Sequence, residues 1–270
     1  MISELFKQAC LDELQAIKPG NVHVFADGHG MTVEDFILSA KVASEQIAAS
    51  NLSLGERILA SVQATQNAVQ CNTNLGIILL CAPLIQADHK LLEVVLKNTT
   101  VEDCALCFRA IALANPAGLG ESALHDVRQV PDCTLLEAMQ DAAERDLIAL
   151  QYANNFAEIF NVGATNFERG MVRWNNASWA TTYVYLQFLA NYLDSHIVRK
   201  YGLALAQTVQ NEANLHLKRF VRVENPKTYL GELLCWDANL KARNINPGTC
   251  ADLTVTTLFA IKLKDANGHT

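Results

Sequence analysis

The sequence lacks an apolar run of membrane-spanning length. The longest, Leu75 to Ile85, is well short of the ~20 residues a span needs and contains Pro83, so a soluble protein is expected. The first ten residues, Met1 to Cys10, carry Glu4 and no basic segment followed by an apolar stretch, so secretion is not expected and a cytoplasmic location is. Basic charge is in deficit: 21 Lys and Arg stand against 28 Asp and Glu, a net −7, which disfavours nonspecific attraction to nucleic acid. The eight cysteines show no paired spacing of a disulfide scaffold. Cys104 and Cys107 form the only C-x-x-C, without a second pair, and read as small residues packed in a helix rather than as a zinc or redox site. The phosphate loop of nucleotide kinases, the glycine fingerprint after a strand, the zinc-binding H-E-x-x-H and the hydrolase G-x-S-x-G are all missing, which removes the usual support for those classes.

Strand alternation is also scarce, whereas helical periodicity runs almost throughout. Apolar residues recur at three- and four-residue steps over Leu5 to Ile17, Val33 to Ala49, Leu54 to Val69, Leu75 to Gln86, Leu91 to Lys97 and Val101 to Leu113. They resume at Thr134 to Glu144, Asp146 to Phe160, Ala177 to Tyr192, Ser195 to Tyr201, Ala204 to Leu217, Pro226 to Ala242 and Thr249 to Lys264. No linker composition or repeat divides the chain, so one compact all-α multi-helix bundle is expected over residues 1–264, with 265–270 a frayed tail. A long connection from Pro116 to Cys133, holding Glu121, His125, Asp126 and Arg128, is of the length that commonly serves function. Trp174, Trp179, Tyr183 and Tyr185 suit the core, with a homo-oligomer interface as the second use.

Three polar turns stand at helix starts: Lys18-Pro19-Gly20-Asn21-Val22-His23, Cys71-Asn72-Thr73-Asn74-Leu75-Gly76, and Asn244-Ile245-Asn246-Pro247-Gly248-Thr249. Helix starts present free N–H groups to anions, and three such turns meeting in one pocket would offer the donors a phosphate-rich ligand requires. In the third turn, Thr249 and Asp252 form a capping-box pattern opening Leu253 to Ile261. Lys241 and Arg243 adjoin it and are placed to neutralise phosphate. Asp35 is a cap residue after Thr32 or a carboxylate turned into the pocket. His23 is an exposed loop residue, a phosphate contact or an acid/base group. Asp126 is a candidate Mg²⁺ carboxylate, and Asp252 is another if it is not spent as a cap.

Taken in order, Lys18-Pro19-Gly20-Asn21, Asp35-Phe36 with Ser39-Ala40, Ala64-Thr65 leading to Asn72-Thr73 and Gly76, and Asn244-x-Asn246-Pro247-Gly248 with Ala251-Asp252-Leu253 resemble the motifs of the triphosphoribosyl-dephospho-coenzyme A synthase family. The resemblance spans Lys18 to Leu253. It implies an all-α enzyme that displaces adenine from ATP and attaches the triphosphoribosyl group to a ribose hydroxyl of dephospho-coenzyme A, with Mg²⁺ on the triphosphate. By motif it implies that Lys18 and the Asn72-Thr73-Asn74 turn bind phosphate, that Asp35 and Asp252 serve metal binding or acid/base chemistry, and that Asn244 and Asn246 orient ribose or phosphate. Members tied to citrate lyase carry Asn-Thr-His-Lys-Gly where this chain has Asn72-Thr73-Asn74-Leu75-Gly76, and Val-Asp in place of Val22-His23. In this the chain resembles the branch of methanogens and methylotrophs, linked to one-carbon carriers of the tetrahydromethanopterin and methanofuran type. The same carboxylates with water as acceptor would make a helical nucleotide or ribosyl-phosphate hydrolase. A ligand-binding protein whose turns only cap helices is the noncatalytic alternative.

Overall fold

The computed structural model describes residues 1–87, 91–116 and 126–268; Glu121 and His125 lie outside these. The described residues form fourteen α-helices and no strand beyond isolated bridges at His23–Ala26 and Gly28–Met31. In chain order they are α1 (Ile2–Leu14), α2 (Val33–Ile47), α3 (Leu54–Val69), α4 (Leu75–Ala87), α5 (Leu92–Lys97), α6 (Val101–Ala114) and α7 (Leu135–Ala142). There follow α8 (Leu147–Ala153), α9 (Thr165–Trp174), α10 (Ala177–Asn191), α11 (Ser195–Tyr201), α12 (Leu203–Phe220), α13 (Leu230–Ala242) and α14 (Gly248–Asn267).

Local chemistry sets many of the starts. Thr32 with Asp35, Ser53 with Glu56, Thr100 with Asp103 and Thr134 with Glu137 each form a reciprocal capping box opening α2, α3, α6 and α7. Helix α4 is apolar nearly all round and lies in the core, as such a helix must, and α14 joins it there through its buried stretch Leu253–Ala260. Helix α14 packs on α1, α4 and α10. Its buried Thr254 and Thr257 hydroxyls donate back to the carbonyls of Cys250 and Leu253, so they add no unsatisfied polar group.

Several expectations are corrected. Helix α1 stops at Leu14 rather than Ile17, because Pro19 disfavours helix at Lys18 and Gly20 adopts φ +87°. The segment expected as one helix to Phe160 breaks after Ala153, where Asn155 and Phe156 are left-handed and Phe156 is fully buried. A π-helical stretch, Glu158–Ala164, and the unforeseen α9 follow. Helix α14 continues to Asn267, through part of the expected tail. Tyr185 is buried, its hydroxyl donating to Pro19 O at 2.7 Å, and Trp174 packs edge-on to Tyr183 and tilted on Phe220. Cys104 and Cys107 are both fully buried, and burial pushes the Cys104 thiol up to about 12, which suits packing and not chemistry. No described helix is long and apolar enough to cross a membrane.

Candidate functional site

A cavity of about 760 Å³ opens where the starts of α4, α8, α11 and α14 meet the side of α1, with α6 and α7 as an apolar wall. The helix starts are stitched together by side chains that take each other's free N–H groups. Asp194 caps Ile197 N at 3.1 Å and also accepts Cys250 N at 2.8 Å, joining α11 to α14. Thr249 Oγ1 accepts His196 N at 3.2 Å, and Ser195 Oγ accepts Leu147 N at 2.8 Å. Asp146 caps α8 through Ile148 N at 2.8 Å and pairs with Arg199 of α11. The result aims α4 and α14, two long helices with positive N-terminal ends, at one space.

The cavity wall includes Asn21, Asn72, Thr73, Asn74, Asn246 and Gly248. The carboxylates Asp126 and Asp252 also line it. The turns touch: Asn21 Nδ2 donates to Asn246 Oδ1 at 2.8 Å, and Thr73 Oγ1 donates to Ser39 Oγ at 2.6 Å. Asn72 Oδ1 accepts Leu75 N at 3.1 Å, and Asn74 Nδ2 donates to Thr65 Oγ1 at 3.0 Å. Asp126 is buried and accepts Arg128 N at 2.9 Å.

Asp252 is not a cap. Helix α14 starts at Gly248 without a side-chain cap, and Thr249 is turned to His196. The Asp252 carboxylate instead lies against Gly76, where a Cβ would come within 2.1 Å of Oδ2. Burial, then Asp194 and Glu13, hold it well above the ordinary carboxylate range. Glu13, unanticipated from sequence, lines the same cavity, and burial raises its carboxyl against the pull of Lys18.

Four expected site residues do not line this cavity. Lys18 is fully buried, and its ammonium is spent on Glu13 (2.6 Å), Asn21 Oδ1 (3.0 Å) and Val22 O (2.8 Å), so no N–H remains for phosphate. His23 is buried rather than exposed. Its Nδ1 accepts Phe25 N at 3.3 Å, which leaves the proton on Nε2 facing Asp237 Oδ1 at 3.3 Å. Asp237 also accepts Gly20 N at 2.8 Å and pairs with Lys241 at 3.0 Å, so these groups fasten the Pro19-Gly20 turn instead of contacting a ligand. Lys241 further donates to Ala26 O at 3.0 Å and Arg243 pairs with Glu212 at 3.1 Å, and neither lines the cavity, contrary to the expected phosphate role. Asn244 is exposed, with φ 57° and its carbonyl accepting from Tyr201 Oη.

Asp35 is the capping carboxylate of α2, accepting Thr32 N at 2.7 Å and Thr32 Oγ1 at 2.9 Å. Asp35→Ala is expected to lower stability by about 1 kcal/mol, as cap loss does, and to leave turnover unchanged. A melting curve and an activity assay on the same preparation check both halves.

Cations come from elements the sequence did not single out: Arg145 after α7, and Arg199 and Lys200 in α11. Among the described residues no group of three His, Cys, Asp or Glu side chains is poised to hold a metal unaided. The fold and this site define a helical protein whose cavity gathers helix starts, cations and carboxylates. The chain matches, over residues 1–270, the family described as CitG: ATP:dephospho-CoA triphosphoribosyl transferase, and it belongs to that family. It is 33% identical over 92 residues to a 2-(5''-triphosphoribosyl)-3'-dephosphocoenzyme-A synthase of Haemophilus ducreyi, covering 34% of this chain and 26% of the relative. The matched stretch thus spans about a quarter of that curated relative. No solved structure matches the chain at a significant level.

Proposed function

We propose that this protein transfers the triphosphoribosyl group of ATP, with release of adenine, to a ribose hydroxyl of dephospho-coenzyme A or a related cofactor precursor. The observation that carries the reading is the convergence of the α4 and α14 starts with Arg145, Arg199 and Lys200 around a cavity that also holds unpaired acid. Helix ends and guanidinium groups suit a triphosphate, and a carboxyl whose protonated form burial favours suits a departing purine, which must gain a proton.

Mg²⁺ fits the donor set. It is bound by one or two carboxylates with substrate phosphates completing the shell, and Asp126 offers a hard oxygen in the cavity wall. Asp126 would hold the ion, which would neutralise phosphate charge. Asp252, expected in either role, is favoured as the acid, because burial beside Asp194 and Glu13 favours its protonated form, which suits proton donation better than Mg²⁺ ligation.

Incubation with Mg·ATP, with and without dephospho-coenzyme A, is expected to release free adenine only with the acceptor, as read by chromatography. Adenine released without any acceptor would favour the hydrolase. A one-carbon-carrier precursor as acceptor is the second reading. It is favoured by the apolar Leu75 in the cavity wall and by the tying of Asn74 to Thr65, which leave no cation at that turn. It predicts no adenine with dephospho-coenzyme A while binding of inorganic tripolyphosphate persists.

A further inference from the structure

Four histidines are described, and three have at least one ring nitrogen engaged. His23 meets Phe25 N and Asp237. His29 meets Gly20 O at 2.7 Å through Nε2 and Asn244 Oδ1 at 3.1 Å through Nδ1. His216 Nδ1 lies 3.0 Å from Tyr229 Oη while its ring stacks on Trp236. His196 is different: it lines the cavity, and among the described residues neither ring nitrogen has a hydrogen-bond partner. Its backbone is fixed by Thr249, and its ring rests on Gly248, where a Cβ would stand 3.3 Å from Nδ1. A ring fixed at the start of α14, with both nitrogens unclaimed, is a proton acceptor held in position.

Resting on the transferase reading above, we propose that His196 is the general base that takes the proton of the acceptor hydroxyl, and that a bound triphosphate raises its basicity. In the step, the acceptor oxygen bonds C1′ of the ribose as its O–H bond breaks, with the proton passing to His196. The C1′–N9 bond breaks, its electron pair leaves with adenine, and the purine gains a proton from Asp252. His196 and Asp252 then exchange the proton through solvent, which restores both.

The coupling to the donor follows from the surroundings of His196. Burial, then Arg199 and Lys200 on its own helix and His29 from the loop after α1, depress it to about 4. The acidic groups lining the same cavity are Glu13, Asp126, Asp146 and Asp252, of which Asp146 is already paired with Arg199. The protein alone therefore keeps the imidazole neutral and weakly basic. A triphosphate placed among Arg199 and Lys200 offsets the very charges that depress it, so proton affinity rises only when the donor is bound.

The test is a histidine side-chain NMR titration of the whole protein, with and without inorganic tripolyphosphate, alongside His196→Gln. The His196 titration is expected to move up by about one unit or more on tripolyphosphate binding. His196→Gln is expected to keep tripolyphosphate binding within about twofold while adenine release with the acceptor falls about 100-fold or more. An unmoved titration in protein that binds tripolyphosphate, or a variant turning over at the parent rate, overturns the proposal. A shifted titration in protein that releases no adenine with any acceptor overturns the transferase reading instead, while supporting the coupling of His196 to the anion. A variant that also loses tripolyphosphate binding makes His196 a ligand contact, and that too overturns its role as base.

Discussion

Lys18→Met is expected to cost about 3–5 kcal/mol of stability, the penalty for stripping the partner from a buried ion pair. The melting temperature should fall by roughly 10 °C in a chain of this size. The ammonium is fully buried and its three contacts are the Glu13 carboxylate, the Asn21 amide oxygen and the Val22 carbonyl. Its loss leaves the buried Glu13 without its cation and unties the turn that carries Asn21 to Asn246. Glu13→Gln combined with Lys18→Met should recover much of the deficit, because a neutral amide needs no buried cation. The deficit of the single variant should also narrow in acid. Glu13 is then protonated in either protein, and the parent is left with an unpaired buried ammonium. A lysine that contacted phosphate would give the opposite pattern: tripolyphosphate binding lost at an unchanged melting temperature.

Asp252→Asn is expected to abolish most turnover, by about 100-fold or more as for a general acid, while making the protein more stable. The two effects share one cause. Burial beside Asp194 and Glu13 disfavours the charged carboxylate, so its folded-state pKa lies above the unfolded value. The folded protein then binds more protons than the unfolded chain from about pH 4 upward. Stability contributed by this group is therefore complete below that pH and declines as pH rises through the raised pKa. An uncharged asparagine of the same shape escapes that decline. At neutral pH the variant should gain about 0.5–2 kcal/mol, as relief of a functional site commonly gives. Near pH 3.5, where aspartate is protonated in both states, the two proteins should melt together. Equal stability at all pH values would mean that Asp252 is ordinarily ionised and would move its role to metal binding.

The cavity acid and the capping acid were not separable by pattern. Asp35 and Asp252 each sit three residues after a threonine, the same capping-box spelling. Asp35 reciprocates with Thr32, whereas Thr249 is claimed by the His196 amide and Asp252 is left to the cavity. The same holds for histidine. His23, placed in a loop beside a Pro-Gly turn, drew attention in sequence and is sealed against Asp237, while His196, in an ordinary short helix, carries the free ring. One signal for His196 was available: Ser195-His196 followed by Arg199-Lys200 puts a histidine and two cations on a helix next to Asp194, a capping residue.

What the sequence by itself determined is what depends on neighbours a few residues away: the all-helical class, the apolar character of α4, and the three polar turns. These are set by periodicity and by side chains reaching their own backbone, so local spelling suffices. Only the tertiary structure decided which polar groups the cavity receives. Gly20 meets Asp237 across 217 residues, Asn21 meets Asn246 across 225, and His196 meets Thr249 across 53. A buried donor takes whatever acceptor the packing brings to it, because leaving it unmade costs more than the bond contributes. Partner choice is thus a property of the assembled core, and so is the difference between a residue that holds the fold and one left free for a ligand.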